Sequence, residues 1–149
     1  MILLFLFAHY IITPSSCKAE RVIIIWVYFE PNPVRSGAID CSVRAISKAL
    51  DISWEKAFAM LSVNGFQMGN IMAADEVWGS VLRQHGFKRY LVPDYCPDCY
   101  SVGAFCEEHQ DGTFVVKSEN HVATVVDGDL YDSWNSEDKT VIYYWRKED

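Results

Sequence analysis

Three residues that could carry out covalent chemistry occur in order along this chain: Cys41, His121 and Asp132. A cysteine attacks a carbonyl carbon as its thiolate, a histidine accepts and returns the proton, and a carboxylate holds the imidazole in one orientation. Each residue alone also has an ordinary structural explanation, since free cysteine is among the most buried residue types. A functional assignment therefore requires helices and strands that bring the three side chains together.

The segment that follows Asp40 predicts a helix whose first residue is Cys41. Apolar residues recur at helical spacing up to Leu50, and aspartate is a preferred residue type at helix N-caps. Free backbone N–H groups and the positive end of the helix dipole favour a thiolate at this position. Cys41 therefore lies where a cysteine can act as a nucleophile.

A hairpin is predicted around Asp127-Gly128, which separates two segments rich in β-branched and aromatic residues. If these two residues form the turn, Val126 pairs with Asp129, and the register of both strands follows from that pair.

This register places His121, Asp132 and Trp134 on one face of the hairpin, and Asn135 points the other way. The backbones of His121 and Asp132 are then diagonal neighbours roughly 7–8 Å apart, within reach of their side chains. A histidine with only a structural role would not require an acid and an indole on its own face. The coincidence favours a functional site.

These residues carry a resemblance to a known family. The stretch Asn120 to Gly128 resembles the histidine strand of the papain-like superfamily. Asp132-Ser133-Trp134 resembles its Asn-Ser-Trp signature, with a carboxylate in place of the amide. Small papain-like domains of this size, many of them encoded by bacteriophages and gut bacteria, look similar over Val27 to Trp145.

The resemblance implies a thiol protease or related hydrolase that cleaves an amide or isopeptide bond through a Cys41 thioester. In its catalytic triad, Cys41 is the nucleophile, His121 the general base and acid, and Asp132 the residue that orients the imidazole. Trp134 would shield their hydrogen bond from water. The expected partner is a peptide or protein substrate, with no cofactor and no metal at the catalytic site.

One departure from the family pattern concerns the oxyanion. Larger members carry a glutamine about six residues before the cysteine, whereas the sequence here is Val34-Arg35-Ser36. The backbone N–H of Cys41 can supply one donor to an oxyanion, and Asn32 or Ser36 are candidates for a second. The departure leaves room for an inactive relative.

The order of elements predicts an α+β fold. The expected helices span 41–50, 54–63, 71–85 and about 101–109, and the expected strands span 26–29, 87–91, 113–117, 121–126, 129–134 and 140–145. We expect a papain-like arrangement in which N-terminal helices pack on a C-terminal antiparallel β-meander, within a single domain over 26–149.

Length and charge agree with one domain that does not bind nucleic acid. With 149 residues, half of them hydrophobic, the chain can bury one core of ordinary size. A net charge of −7 lacks the basic footprint that nucleic-acid binding needs.

The first part of the chain, residues 1–25, is read as a hydrophobic N-terminal extension. Its apolar run ends at Ile12 and is too short to span a bilayer, and it has no basic n-region of a secretory signal. Three interpretations stay open: an export signal, a membrane anchor, or an upstream extension from a mis-assigned start. The last implies a cytoplasmic protein, and the others a secreted or membrane-associated one.

A second cluster offers a possible zinc site. Cys96 and Cys99 form a C-x2-C pair, and Cys106 and His109 form a C-x2-H pair close behind it. Cys96 could instead form a disulfide in an exported protein, and Cys106 could simply be buried. No acid-base partner lies nearby, so the cluster would be a scaffold and not a reaction centre.

Two other functions remain open at this stage. One is a papain-fold binding module that has little or no activity and that zinc could stabilise. The other is acyl transfer, in which an amine replaces water in the second step and uses the same three residues.

Overall fold

A computed structural model of the protein describes residues 26–34, 37, 39–92 and 100–148. The predicted extension over residues 1–25 lies outside them. The helices are α1 Cys41–Ala49, α2 Trp54–Met68, α3 Asp75–Gln84 and α4 Val102–Glu108. The strands are β1 Trp26–Tyr28, β2 Phe87–Leu91, β3 Thr113–Lys117, β4 Val122–Val126, β5 Asp129–Asp132 and β6 Tyr143–Lys147. No helix among the described residues is long and apolar enough to cross a membrane.

The strands form one mixed sheet in the order β1-β5-β4-β3-β6-β2. Strands β3, β4 and β5 are an antiparallel meander, but β1 pairs in parallel with β5, and β6 pairs with β3 rather than β5. The α+β class is confirmed. The prediction of a purely antiparallel C-terminal meander is wrong, because β1 occupies the edge of β5.

The chain crosses from β5 to the far side of β3 before β6 begins at Tyr143. Residues just before β6 bond to other segments: the Val141 N–H donates to the Tyr100 carbonyl at 3.0 Å, and the Ile142 N–H donates to the Lys117 carbonyl at 2.8 Å. The crossing segment is therefore held by backbone bonds. These bonds explain why β6 begins later in the chain than predicted.

Helices α2 and α3 differ from their predicted bounds. Helix α2 continues to Met68, and α3 begins at Asp75. The Asn64 side chain donates to the Val77 carbonyl at 3.0 Å, and backbone of the following loop passes 2.7 Å from where a Cβ on Gly65 would lie. Tertiary contacts therefore hold in a helix two residue types that favour turns.

The sheet has a hydrophobic cluster on each face, so successive strand residues alternate between two cores. Helices α1, α2 and α3 pack on one face, and α4 packs on the other. On the first face the sheet contributes Val115, Val122, Tyr143 and Trp145. On the second it contributes Phe114, Val116, Ala123, Val125 and Leu130. Helix α1 crosses β4, which brings the start of the helix to the start of that strand.

A buried hydrogen bond ties α1 to β4. The Thr124 hydroxyl donates to the Ala45 carbonyl at 3.0 Å, and Thr124 is 0% exposed. Because Cys41 lies on this helix and His121 directly precedes this strand, the bond helps to fix the separation of the two residues.

Replacing Thr124 with valine removes this bond and nearly preserves side-chain shape. We expect the free energy of unfolding to fall by about 1 kcal/mol, the net contribution of a typical buried hydrogen bond. Urea unfolding followed by tryptophan fluorescence measures the change. The control is Thr113→Val at the start of β3, where the hydroxyl bonds to no described residue. An equal loss in both variants would contradict the assignment.

Candidate active site

Cys41 is the first residue of α1 and is half-buried. The His121 side chain and the backbone N–H of Val122 lie close enough to its sulfur to favour the thiolate and lower the pKa of the thiol. A thiolate at this position therefore faces an imidazole, a backbone N–H group and the positive end of a helix dipole.

His121 directly precedes β4, and its Nε2 contacts the Oδ2 atom of Asp132. This contact leaves Nδ1 as the ring nitrogen for the Cys41 sulfur. The structure therefore brings together the three residues that the sequence singled out. The predicted two-residue turn is confirmed: Val126 pairs with Asp129.

Asp132 ends β5 and is only 2% exposed. Its carboxylate accepts from the Ser136 hydroxyl at 2.6 Å and from the Ser133 N–H at 2.8 Å. Its backbone carbonyl accepts from the Phe29 N–H at 2.9 Å, next to β1. The same carbonyl also accepts from Trp26 Nε1 at 3.3 Å, and the carboxylate contacts His121 and forms the ion pair described below, so interactions from several segments of the chain converge on this residue.

The pKa values of Cys41 and His121 shift toward an ion pair. Burial raises the pKa of the Cys41 thiol, but the hydrogen bond and positive charge of His121 outweigh burial, and the pKa falls below its ordinary value. Burial lowers the pKa of His121, but the hydrogen bonds and charges of Asp132 and Cys41 raise it to about 9. A thiolate beside an imidazolium is therefore favoured near neutral pH.

Trp134 lies against the histidine. Its ring centroid is 4.9 Å from that of His121 at an interplanar angle of 48°, and its side chain remains partly exposed. The indole covers one side of the imidazole. Asn135 is exposed, and its side-chain oxygen accepts from the Glu137 N–H at 3.2 Å, away from the histidine.

Arg44 was not predicted as a site residue, but its guanidinium lies close to three carboxylates, one of which is Asp132. We call Glu30, Asp40, Arg44 and Asp132 the Arg44 cluster. Arg44 Nη1 donates to Asp40 and lies 3.9 Å from Glu30, and Nη2 lies 3.7 Å from Asp132 Oδ1. The i, i+4 spacing of Asp40 and Arg44 signals a helix ion pair. No sequence spacing signals its contact with Asp132.

Asp40 precedes α1 at the N-cap position, as predicted, but its side chain does not cap the helix. The carboxylate instead accepts from Arg44, from Asn32 Nδ2 at 3.0 Å and from Trp54 Nε1 at 2.9 Å. These three donors occupy the oxygens that would otherwise cap the helix.

The two side chains predicted as candidate oxyanion donors are Asn32 and Ser36, and the structure describes only Asn32. Asn32 is 5% exposed, and its amide donates to Asp40 while its oxygen accepts from the Val34 N–H at 3.0 Å. It is therefore placed to support Asp40. Ser36 lies outside the described residues. The backbone N–H at the start of α1 remains a candidate donor from the described part of the chain.

An open cleft of about 220 Å³ lies beside the start of α1. Its floor includes Asp40 and Ser42, which flank Cys41, and its walls are mostly apolar. Trp54 and Phe58 stack at 5.0 Å between ring centroids along one wall. Neither Cys41 nor His121 lines this cleft, so it offers an apolar surface near the start of α1 but does not contain the thiol or the imidazole.

The proposed zinc cluster is only partly described, because Cys96 and Cys99 lie outside the described residues. Cys106 is 0% exposed, and burial raises the pKa of its thiol to about 12. His109 stacks on Phe105 at 3.9 Å, and its Nδ1 lies 2.9 Å from the Phe105 carbonyl. Within the described ranges no group of three or more His, Cys, Asp or Glu residues is arranged so that it could hold a metal ion.

The hairpin geometry predicts opposite outcomes for two neighbouring substitutions. Asp132→Ala removes the acceptor that orients His121, and we expect alkylation of Cys41 at pH 6–7 to slow by orders of magnitude as the pKa of its thiol rises toward the ordinary value. Asn135→Ala should change the rate by less than twofold. Iodoacetamide kinetics followed by mass spectrometry measures both rates, and thermal unfolding checks the fold. A folded but equally reactive Asp132→Ala protein would contradict the assignment.

Comparison of the chain with protein-family models, with curated proteins and with solved structures found no match. The function of the site is therefore argued from its own geometry and chemistry.

Proposed function

We propose that the protein is a thiol hydrolase of the papain-like type that cleaves an amide or isopeptide bond in a peptide or protein. The observation that carries the proposal is the arrangement of three side chains: the imidazole of His121 contacts the buried Asp132 carboxylate and lies close enough to Cys41 to lower the pKa of its thiol. A cysteine with only a packing role requires neither a polarised imidazole nor a lowered pKa.

The first half of the reaction would proceed from the ion pair. The Cys41 thiolate attacks the carbonyl carbon, and the new C–S bond places negative charge on the oxygen, near the N–H groups at the start of α1. The His121 imidazolium gives the proton on Nδ1 to the leaving nitrogen. The C–N bond then breaks, and a thioester to Cys41 remains.

The second half would regenerate the enzyme. Neutral His121 accepts a proton from water, the resulting oxygen nucleophile attacks the thioester, and the C–S bond breaks to release the acid. Asp132 keeps Nε2 protonated throughout, so that Nδ1 exchanges the proton. An amine in place of water would give acyl transfer with the same residues.

The papain-like assignment rests on the order of the three residues and their elements. A cysteine that opens a helix, a histidine that precedes a strand and a carboxylate on the next strand match the sequence resemblance. The parallel pairing of β1 with β5 makes the sheet mixed and is an addition to the expected arrangement.

Selective alkylation tests the chemical part of the proposal. We expect Cys41 to react with iodoacetamide at pH 6–7 at least about tenfold faster than the other cysteines, since its pKa lies below the ordinary value and that of Cys106 is about 12. Mass spectrometry after a short pulse gives the rate for each cysteine. Equal reactivity of Cys41 and Cys106 would favour the binding-module alternative.

The hydrolytic part is tested with a proteome-derived peptide library and a matched Cys41→Ser protein. We expect cleavage only with Cys41 present. The rate should rise with pH through the lowered pKa of Cys41 and fall through about pH 9, where His121 loses the proton that it gives to the leaving group. Cleavage by the serine variant would point to a contaminant. A reactive Cys41 without cleavage would limit the proposal to its covalent step.

A further inference from the structure

Arg44 lies in α1, less than one turn after the proposed nucleophile, and its side chain is 9% exposed. Its guanidinium reaches in two directions. One nitrogen donates to Asp40, which directly precedes Cys41, and the other lies 3.7 Å from Asp132, which contacts His121. One buried cation therefore links the supports of both reacting groups.

The charges around this cation explain why it is needed. The Asp40 and Asp132 side chains are 7% and 2% exposed, and Glu30 is the third carboxylate within reach, at 18%. Ionised carboxylates that are buried without a cation are strongly disfavoured. A Cys41 thiolate would add a further negative charge close to Asp40, and like charges oppose its formation.

The ionisable groups around Arg44 come from four parts of the fold. Glu30 lies in the segment after β1, Asp40 lies before α1, Cys41 begins α1, and Asp132 ends β5 with His121 in contact. Arg44 and His121 are the two groups in this set that can carry positive charge. The imidazolium lies between the thiolate and Asp132, so Arg44 is the cation left for Asp40 and Glu30 and the second cation beside Asp132.

We propose that Arg44 is a positioning residue for the proposed reaction: it joins Asp40 to Asp132 and allows a carboxylate, in place of an amide, to orient the imidazole. The inference rests on the proposed function of Cys41, His121 and Asp132. Arg44 would have two effects. It would link α1 to β5, and it would supply the positive charge that the buried Asp132 carboxylate requires.

A double-mutant cycle separates this role from simple packing. The proteins are Arg44→Met, Asp132→Asn and the double variant, and the measurement is the rate of Cys41 alkylation by iodoacetamide from pH 5 to 9. An asparagine oxygen can still accept from His121 Nε2. Removing the arginine charge disfavours the thiolate, so the pH profile of Arg44→Met should move upward. At pH 6 its rate should fall about tenfold for each unit of that shift.

In the Asp132→Asn background the same loss of Arg44 should change the rate at pH 6 several-fold less than in the parental protein, because the link to the Asp132 carboxylate is gone and only Asp40 and Glu30 remain for Arg44 to balance. Arg44→Lys keeps the charge but replaces two guanidinium nitrogens with one ammonium, so its profile should lie between those of the parental protein and Arg44→Met. Lys88→Met on β2, at the opposite edge of the sheet from β1, removes an equal charge and should leave the profile unmoved.

The outcomes distinguish the two proposals. If parental Cys41 reacts no faster than Cys106, the proposed function fails. Suppose instead that Cys41 of the parental protein reacts fast. If Arg44→Met then changes the alkylation rate by the same factor with and without Asp132→Asn, or changes it in neither case, the role of Arg44 is overturned. If Arg44→Met does not fold, the double variant decides: folding with the profile of Asp132→Asn supports the proposal, and failure to fold overturns it.

Discussion

The carboxylate of Asp132 is a buried charge, and its burial constrains the elements around it. Water cannot solvate an oxygen in this position, so the protein must supply the donors. The imidazole of His121, the Ser136 hydroxyl and the Ser133 N–H do so, with the Arg44 guanidinium close by. Each donor comes from a different position in the chain. Satisfying one carboxylate therefore fixes the end of β5, the loop after it, α1 and the segment before β4.

Packing of the sheet fixes the positions of Cys41 and His121. Alternation along β4 sends Val122 into the core beneath α1 and Ala123 into the core beneath α4. The strand is thus packed on both faces and cannot shift its register without exposing apolar residues. Helix α1 packs on this strand, with the Thr124 bond to Ala45 buried between them. The distance between the thiol and the imidazole is consequently set by a packed core and not by a loop.

Local signals predicted much of this arrangement. The Asp127-Gly128 turn, where both residues have positive φ, fixed the hairpin register and with it the shared face of His121 and Asp132. The start of α1 followed from helical periodicity. Arg44 could not be found in this way, because its contact with Asp132 joins residues that are far apart in the chain.

The strand order was not predicted, because it too depends on contacts between residues that are far apart in the chain. Pairing between β1 and β5, or between β6 and β3, depends on which sheet edges the rest of the fold leaves open. Neither pairing has a turn signal, since long segments separate the strands. The ends of α2 and α3 likewise depend on Asn64 and Gly65 meeting neighbouring segments, and single-sequence propensity does not contain this information.

The distance in sequence between Cys41 and its partners also matters during synthesis. The ribosome releases the chain from its N-terminus at about 5–20 residues per second, so Cys41 emerges several seconds before His121 and Asp132. Until the hairpin has formed and docked against α1, the imidazole of His121 and the Val122 N–H are not beside the thiol. The thiol therefore lacks its acid-base partner while the polypeptide is unfinished, and it gains that partner only when the last third of the molecule packs against α1.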